Sequence, residues 1–361
     1  MDLAVTFSSF IIACLLALGL QVFFFSPISP EILELPPASS RQKLPPSNAK
    51  LQEVIKLGEG FLVKPEDICV DKNGLIYTAT RDGWIRRLHR NGTWENWKWF
   101  QSESLLGMTA AADGSIIVCD CDKGLLKFTD EGITVLASHV DGVKIRFADD
   151  VIEGRDGSLY LSDVSSKFGY EEWYFDVLEA KPHGRLLRYD PSANHTSILL
   201  HNLAFPNGVA LSPLEDFLIV CETWKFRCLK YWLKGENRGQ TEIFIDNLPA
   251  SPDNINLAPD GTFWIALIQI IPPRLEFLHR SKVLKHIVAT FPWLTSLANG
   301  ANTKALVANV NAQGKIIKIF DDPTGKVMAF VTSALEFEGH LYLGSLKSDF
   351  IGKLPLEMAF A

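Results

Sequence analysis

The sequence predicts an all-β fold: a six-bladed β-propeller with a helical insertion over one end and an N-terminal hydrophobic segment. Two observations predict the propeller. Alternating apolar and polar residues, interrupted by turn residues, are typical of strands joined in hairpins. One strand–turn–strand unit also recurs six times, beginning near residues 66, 106, 149, 207, 253 and 331. The first four spacings, from 40 to 58 residues, leave room for four short strands in each unit.

The repeated unit keeps polar residues at a fixed position. Glu66, Asp149 and Asp253 each precede the turn glycine of their unit by eight residues, and Asn207 precedes Glu215 by the same interval. Corresponding residues of the innermost strands surround the central channel of a propeller, so we expect these four side chains to converge. A single polar residue at a strand start is explained by turn formation alone. The shared register in four of six units favours a common site.

The predicted channel site is a metal site. Several carboxylates in one channel repel each other unless a cation neutralises them. All the donors are oxygen atoms, and Ca²⁺ takes roughly six to eight oxygen ligands in flexible geometry, so Ca²⁺ is the predicted ion and Mg²⁺ the second choice. The predicted ligands are Glu66, Asp149, Asn207, Asp253 and Asn254. Asp67 and Asp150 are expected on the other side of their strands, where a second, structural ion is the weaker prediction.

The N-terminal region is predicted to lie outside the propeller. Residues 1–25 contain an uncharged run, Leu3–Phe25, that is long enough for a membrane span of roughly 20 residues. It is predicted to be a signal peptide or an uncleaved signal anchor, and both alternatives stay open. Residues 26–50 are rich in proline, which predicts an extended tether.

The propeller is predicted to occupy residues 51–361. Leu51–Leu57 alternates and is expected to supply a strand that closes the last blade onto the first. Apolar residues at near-helical spacing in residues 273–300 predict a helical cap over one end of the propeller.

Two glycosylation sequons and the apolar segment together predict entry into the secretory pathway. The sequons begin at Asn91 and Asn194, both in predicted turns. The expected location is the lumen or membrane of the endoplasmic reticulum, or the vacuole. The membrane is a partner only if the N-terminal segment is uncleaved. The formal net charge of -7 and the lack of a Lys/Arg block argue against nucleic acid as a partner.

The six cysteines offer one predicted disulfide. Cys119 and Cys121 lack the second Cys or His pair that a zinc site needs. Cys221 and Cys228 flank a predicted hairpin centred on Trp224 and Lys225, which would allow a cross-strand disulfide.

Several stretches carry a family resemblance: "FPNGVALS", "DGSLYLSDVSSKF", "GRLLRYDPS" and "EGHLYLGSL". They resemble the strictosidine synthase-like family, whose wider superfamily includes paraoxonases and gluconolactonases. The resemblance covers roughly Leu51–Leu356 and implies a six-bladed propeller, with Ca²⁺ in the channel of its hydrolases. It implies a catalytic calcium site in which Glu66, Asn207, Asp253 and Asn254 match the family's ligands, and Asp149 stands in "FADDV" where relatives read "FANDV". It also implies that Asp67 and Asp150 match the acidic ligands of a structural calcium.

The departures from the family limit the expected chemistry. Gly107 and Met108 stand where paraoxonases need a histidine dyad. Thr332 stands where strictosidine synthase carries its catalytic glutamate, and threonine cannot replace a carboxylate in proton transfer. The resemblance therefore implies a calcium-dependent hydrolase of a small hydrophobic ester or lactone, with Asp253 as the catalytic residue, rather than a true strictosidine synthase. The alternative is a non-catalytic luminal scaffold or binding propeller, which the missing histidines favour.

Overall fold

Six antiparallel sheets of four strands form the protein, which confirms the predicted propeller. The computed structural model describes residues 3–37, 40–268, 276–291, 293–294 and 304–356. The innermost strand of each blade contacts the innermost strands of both neighbouring blades, so that the six sheets close into a ring.

The elements are numbered in chain order. The N-terminal part contains α1 (Leu3–Phe25) and β1 (Ile55–Leu57). Blade 1 contains β2 (Ile68–Val70), β3 (Ile76–Ala79), β4 (Trp84–Leu88) and β5 (Trp94–Trp99). Blade 2 contains β6 (Leu105–Ala110), β7 (Ile116–Asp120), β8 (Gly124–Phe128) and β9 (Ile133–Ala137), and a small hairpin follows with β10 (His139–Val140) and β11 (Val143–Lys144). Blade 3 contains β12 (Ala148–Glu153), β13 (Leu159–Asp163), α2 (Trp173–Glu179), β14 (Gly184–Asp190) and β15 (His195–Leu203).

The remaining blades complete the ring. Blade 4 contains β16 (Pro206–Leu211), β17 (Phe217–Glu222), β18 (Arg227–Trp232) and β19 (Thr241–Ile245). Blade 5 contains β20 (Ser251–Leu257), β21 (Phe263–Ile268), α3 (Glu276–His279), α4 (Lys282–Thr290), β22 (Ala305–Val310) and β23 (Ile316–Asp322). Blade 6 contains β24 (Val331–Phe337), β25 (His340–Ser345) and β26 (Ile351–Pro355). Each blade thus begins with an innermost strand near the start of one predicted repeat.

The N-terminal strand closes the ring, as the alternation of Leu51–Leu57 predicts. Strand β1 is the outermost strand of blade 6 and pairs antiparallel with β26, with Ile55 opposite Lys353. The first residues of that stretch form a 3₁₀ turn, Lys50–Glu53, which buries Leu51 completely. The N-terminal and C-terminal strands of the propeller are therefore held together by backbone hydrogen bonds in one sheet.

The hydrophobic core is divided into layers between neighbouring blades. The buried apolar clusters join residues of blades 1 and 2, 2 and 3, 3 and 4, 4 and 5, 5 and 6, and 6 and 1. Burial of these layers supplies the main favourable free energy of folding. The faces that neighbouring blades press together are consequently apolar.

Five of the six innermost strands contain a β-bulge, which is one extra residue near the start of the strand. In β12, the two residues between Ala148 and Val151 face one residue of β13, and an extra residue also occurs in β6, β16, β20 and β24. A bulge of this kind leaves a residue unpaired and redirects its side chain. The bulges lie where the predicted ligands are found.

Helices cover the end of the propeller at which the innermost strands begin. α2 connects the second and third strands of blade 3, and α3 and α4 do the same in blade 5. This confirms the helical insertion over one end. Residues 273–275, 292 and 295–300 of the predicted cap lie outside the described residues.

The proline-rich segment is extended and packs against this cap. The Leu33 backbone N–H donates to the His279 carbonyl oxygen at 3.1 Å, and Leu33 is almost completely buried. The buried Lys285 ammonium donates to the Glu31 carbonyl oxygen at 2.5 Å, and burial lowers the pKa of Lys285 to about 8. The segment therefore lies along the propeller as a strap, which its composition alone does not indicate.

Helix α1 differs from the other helices in its exposure. Its Val5–Phe25 stretch is 21 residues long, apolar enough to cross a membrane, and unburied. Residues at the start of the following segment contact the cap, where Ser26 Oγ lies 2.8 Å from His286 Nδ1. The apolar helix therefore has the length and composition of a signal segment or membrane anchor, and it leads into a segment that contacts the cap.

Candidate active site in the propeller channel

The five predicted ligands lie together at the capped end of the channel. Glu66 lies two residues before β2, Asp149 lies in β12, Asn207 in β16, and Asp253 and Asn254 in β20. Each of the five is at most 7% exposed. They come from blades 1, 3, 4 and 5, which the closure of the ring brings around one axis.

A direct contact joins blades 1 and 5 across this site. The Asn254 side-chain amide donates to Glu66 Oε1 at 3.0 Å. The second oxygen, Glu66 Oε2, is buried and has no hydrogen-bond partner in the described part of the chain, and the same holds for Asn207 Oδ1. Unpartnered buried acceptors are rare in proteins, and they are what a bound cation satisfies.

Burial and mutual repulsion disfavour the ionised forms of the carboxylates in this site. Burial raises the pKa of Glu66 well above its usual value, and the charges of Asp67, Asp253 and Asp149 add to this effect. Burial, and then the charge of Asp149, raise the pKa of Asp253, while the Asn207 amide lowers it. Burial raises the pKa of Asp149 to about 7 although the Arg81 guanidinium acts in the opposite direction. A cation among these groups would stabilise their ionised forms.

The donor set fits Ca²⁺ in chemistry. All candidate ligands are carboxylate or amide oxygens, and two of these oxygens have no other partner. Among the described residues, no group of three Asp, Glu, His or Cys side chains could hold an ion by itself, and this includes Glu66, Asp149 and Asp253. The amide oxygens of Asn207 and Asn254 therefore have to contribute beside the carboxylates, as the predicted ligand set requires.

Asp67 and Asp150 have a role that the sequence analysis did not foresee. Asp67 Oδ2 accepts from the Met108 N–H at 2.8 Å, and Asp150 Oδ2 accepts from the Val209 N–H at 2.8 Å. Met108 and Val209 directly follow the bulges of β6 and β16, whose irregular pairing frees their N–H groups. Each aspartate thus ties its blade to the next one. The other oxygens of these aspartates also accept hydrogen bonds. A second ion at Asp67 and Asp150 stays a prediction.

Thr332, at the position of the strictosidine synthase glutamate, has a structural contact. It is buried, and its Oγ1 donates to the Glu66 backbone oxygen at 2.7 Å. Thr332 therefore fixes the backbone of a candidate ligand, and it supplies no acid or base.

Glycines allow the innermost strands to approach each other closely. A Cβ added to Gly208 would lie 2.5 Å from the Ile255 nitrogen and 2.6 Å from the Asp253 oxygen. A Cβ added to Gly107 would lie 2.5 Å from the Asp149 oxygen. Gly107, at the position where the resemblance to paraoxonases implies a histidine, permits contact between blades 2 and 3.

Aromatic side chains form an apolar layer beside the ligands. Phe147 and Phe205 precede Asp149 and Asn207 by two residues, and their ring centroids are 5.7 Å apart. The Phe205 ring also packs on Trp224 at 4.3 Å, and Leu33 of the strap belongs to the same buried cluster. The polar channel site therefore adjoins an apolar environment under the cap.

The other residues singled out from the sequence are four cysteines and the two sequon asparagines. Cys221 and Cys228 are opposite each other in β17 and β18 and form a disulfide. Cys119 and Cys121 are buried free thiols. Asn91 and Asn194 are exposed in turns.

The chain is similar in sequence to proteins of one family. Strictosidine synthase-like 4 of Arabidopsis thaliana is 34% identical over 365 residues, which cover 97% of this chain and 95% of the relative. The chain belongs to the strictosidine synthase-like family. The family profile described as "Strictosidine synthase" matches residues 149–236, and the profile "Strictosidine synthase-like, N-terminal" matches residues 46–88.

Another relative is similar to this strictosidine synthase-like chain in sequence, and two solved structures are similar to it in fold. Adipocyte plasma membrane-associated protein of Bos taurus is 32% identical, over 94% of this chain and 87% of the relative. A gluconolactonase of Xanthomonas campestris has a TM-score of 0.60 at 14% identity, covering 92% of this chain and 96% of its own. The calcium-binding protein regucalcin of Agrobacterium tumefaciens has a TM-score of 0.56 at 13% identity, covering 83% of this chain and 93% of its own. The structural likeness extends to the fold alone.

Proposed function

We propose that this strictosidine synthase-like protein is a calcium-dependent hydrolase of esters or lactones with a hydrophobic part. The observation that carries the proposal is the pair of buried, unpartnered oxygens, Glu66 Oε2 and Asn207 Oδ1, amid carboxylates whose ionised forms burial disfavours. Glu66, Asp149, Asn207, Asp253 and Asn254 would hold the ion. When bound, Ca²⁺ supplies Lewis-acid polarisation of the substrate carbonyl.

Asp253 is the proposed catalytic residue. Its carboxylate lies beside Asn207 and Asp149, and burial raises its pKa well above the usual value. Asp253 would take the proton of the attacking water or attack the carbonyl carbon itself. Glu66 is held by Asn254 and Thr332, so its carboxylate stays in place as the other groups exchange protons.

The substrate would be held by the apolar layer beside the ligands. Phe147, Phe205 and Trp224 form a buried aromatic cluster next to the channel end of β12 and β16. The names of the structural relatives, a gluconolactonase and a calcium-binding protein, support the same reaction class for this fold. Thr332 argues against a condensation that needs a carboxylate at its position.

Removal of the metal tests this proposal on the full chain in detergent. We expect hydrolysis of aryl esters or lactones to stop after stripping with a chelator and to return with Ca²⁺. The melting temperature should fall in parallel, because an ion that binds only the folded state stabilises it by about 2.7 kcal/mol at one hundred times its dissociation constant. Unchanged melting after verified loss of the ion would contradict the calcium site. Retained calcium stabilisation without turnover of any such substrate would identify a binding propeller instead.

We also propose that the propeller faces the lumen of the secretory pathway, in the endoplasmic reticulum or the vacuole. The apolar α1 and the exposure of both sequons support this location. An endoglycosidase should increase the gel mobility of the protein, and the double change Asn91→Gln and Asn194→Gln should remove that shift. Asn202→Gln, which alters no sequon, is the matched control. A cytosolic, unshifted chain would refute the proposal.

A further inference from the structure

Arg81 lies at the capped end of blade 1, in the turn between β3 and β4. Its side chain is 8% exposed. Nη1 donates to the Glu103 carbonyl oxygen at 3.0 Å, and the guanidinium carbon lies 4.6 Å from the centroid of the Tyr170 ring. The guanidinium is thus fixed by one hydrogen bond and by packing over an aromatic face.

The other edge of this guanidinium is unused. Nε and Nη2 of Arg81 are buried and have no hydrogen-bond acceptor in the described part of the chain. No ion pair joins Arg81 to a carboxylate within the same residues. Leaving charged donors buried without acceptors is costly, and native proteins rarely do so unless a ligand uses them.

The unused edge has the geometry that binds a carboxylate. Nε and Nη2 point in the same direction and form two parallel hydrogen bonds with a carboxylate group. This chain contains such a pair elsewhere: Arg87 donates from Nε and Nη2 to the two oxygens of Glu95, both at 3.0 Å. Arg81 offers the same edge, and no carboxylate of the described residues pairs with it.

Arg81 and the candidate ligands share the channel. The positive charge of Arg81 acts on Glu66, Asp149 and the Cys121 thiol, so it lies close to all three. The channel therefore contains unpartnered donors on Arg81 and unpartnered acceptors on Glu66 and Asn207. A cation satisfies the acceptors, whereas the donors need an acceptor, and an anionic group is the strongest acceptor for a buried guanidinium.

We propose that Arg81 binds a carboxylate of the substrate through Nε and Nη2. This proposal rests on the proposed function. It narrows the substrate class to esters or lactones that carry a carboxylate beside an apolar body. Tyr170, which supports Arg81, also packs against Phe147 at 5.9 Å, so the anion-binding edge continues directly into the aromatic layer. The charged group would lie on Arg81 and the apolar body on Phe147, Phe205 and Trp224.

Binding of two matched probes tests the proposal without turnover. Phenylacetate and its neutral amide, phenylacetamide, are titrated by calorimetry into the full chain in detergent, with Ca²⁺ present and after its removal. The chelator is dialysed away first, because it is itself a polycarboxylate. We expect the calcium-loaded wild type to bind phenylacetate at least about tenfold more tightly than phenylacetamide, the worth of a charge-assisted hydrogen bond.

The variants separate charge recognition from packing. Arg81→Met should lose about tenfold in phenylacetate affinity and keep its phenylacetamide affinity, while Arg81→Lys should lie between. Arg155→Met, at a side chain that is 71% exposed, should change neither. Equal binding of the two probes by the wild type would overturn the proposal even if Arg81→Met does not fold. An equal loss for both probes in Arg81→Met would also overturn it. Selective phenylacetate binding in a chain that hydrolyses no ester would refute only the proposed function.

Discussion

Replacing Asp253 with alanine is expected to abolish hydrolysis of every ester or lactone that the protein turns over, while the fold survives. The loss should be about 10²- to 10⁴-fold or more, because the change removes the proposed base and a metal ligand together. Loss of one of several repelling buried carboxylates should not destabilise the metal-free protein, since burial and Asp149 already raise the pKa of Asp253. The measurements are turnover, bound calcium and melting temperature with and without Ca²⁺.

Three further substitutions test whether the loss of activity is specific to Asp253. Asp260→Asn alters an exposed turn at the other end of blade 5 and keeps an oxygen that accepts from Thr262, so activity should stay unchanged. Asn254→Ala should weaken calcium binding more than turnover at saturating calcium, because it frees Glu66. Thr332→Ala should cost about 1 kcal/mol of stability through its lost hydrogen bond, with little effect on turnover. Wild-type activity and calcium content in Asp253→Ala would show that the Asp253–Asn254 pair is only a feature of the strand start.

Gly208→Ala is expected to be the most damaging small substitution in the channel. The new Cβ would lie 2.5 Å from the Ile255 nitrogen and 2.6 Å from the Asp253 oxygen, and both are backbone atoms that cannot rotate away. Strands β16 and β20 must therefore separate, at a cost of about 1–3 kcal/mol in the free energy of unfolding. Because Asn207 and Asp253 lie on these two strands, calcium affinity and activity should fall with stability.

The matched control is Gly132→Ala. A Cβ there meets nothing within 4 Å. Its effect on the free energy of unfolding should stay within about 0.5 kcal/mol. Chemical denaturation of both variants gives the comparison. If Gly208→Ala unfolds like Gly132→Ala, the innermost strands are not packed as closely as the structure describes.

The sequence was sufficient to predict the architecture because the propeller repeats one local pattern. Period-2 alternation and turn residues are local properties, and the eight-residue spacing from Glu66, Asp149 and Asp253 to their turn glycines reports the position of each innermost strand. The same register indicated which polar residues converge. The strand in Leu51–Leu57 that closes the ring could also be predicted, because a lone alternating stretch ahead of the first blade has no other strand to pair with.

Only the tertiary structure decided what those residues do once they converge. The bulges in β12, β16 and β20 are set by the pairing between strands, and they decide that Asp150 accepts from Val209 while Asn254 reaches Glu66. The burial of Arg81 and its free edge depend on Glu103 and Tyr170, which come from other parts of the chain. The proline-rich segment packs as a strap because the cap offers it partners. A sequence pattern indicates the period of a strand. The hydrogen bonds of a side chain and the burial of its charge depend on neighbouring residues that only the closed ring brings together.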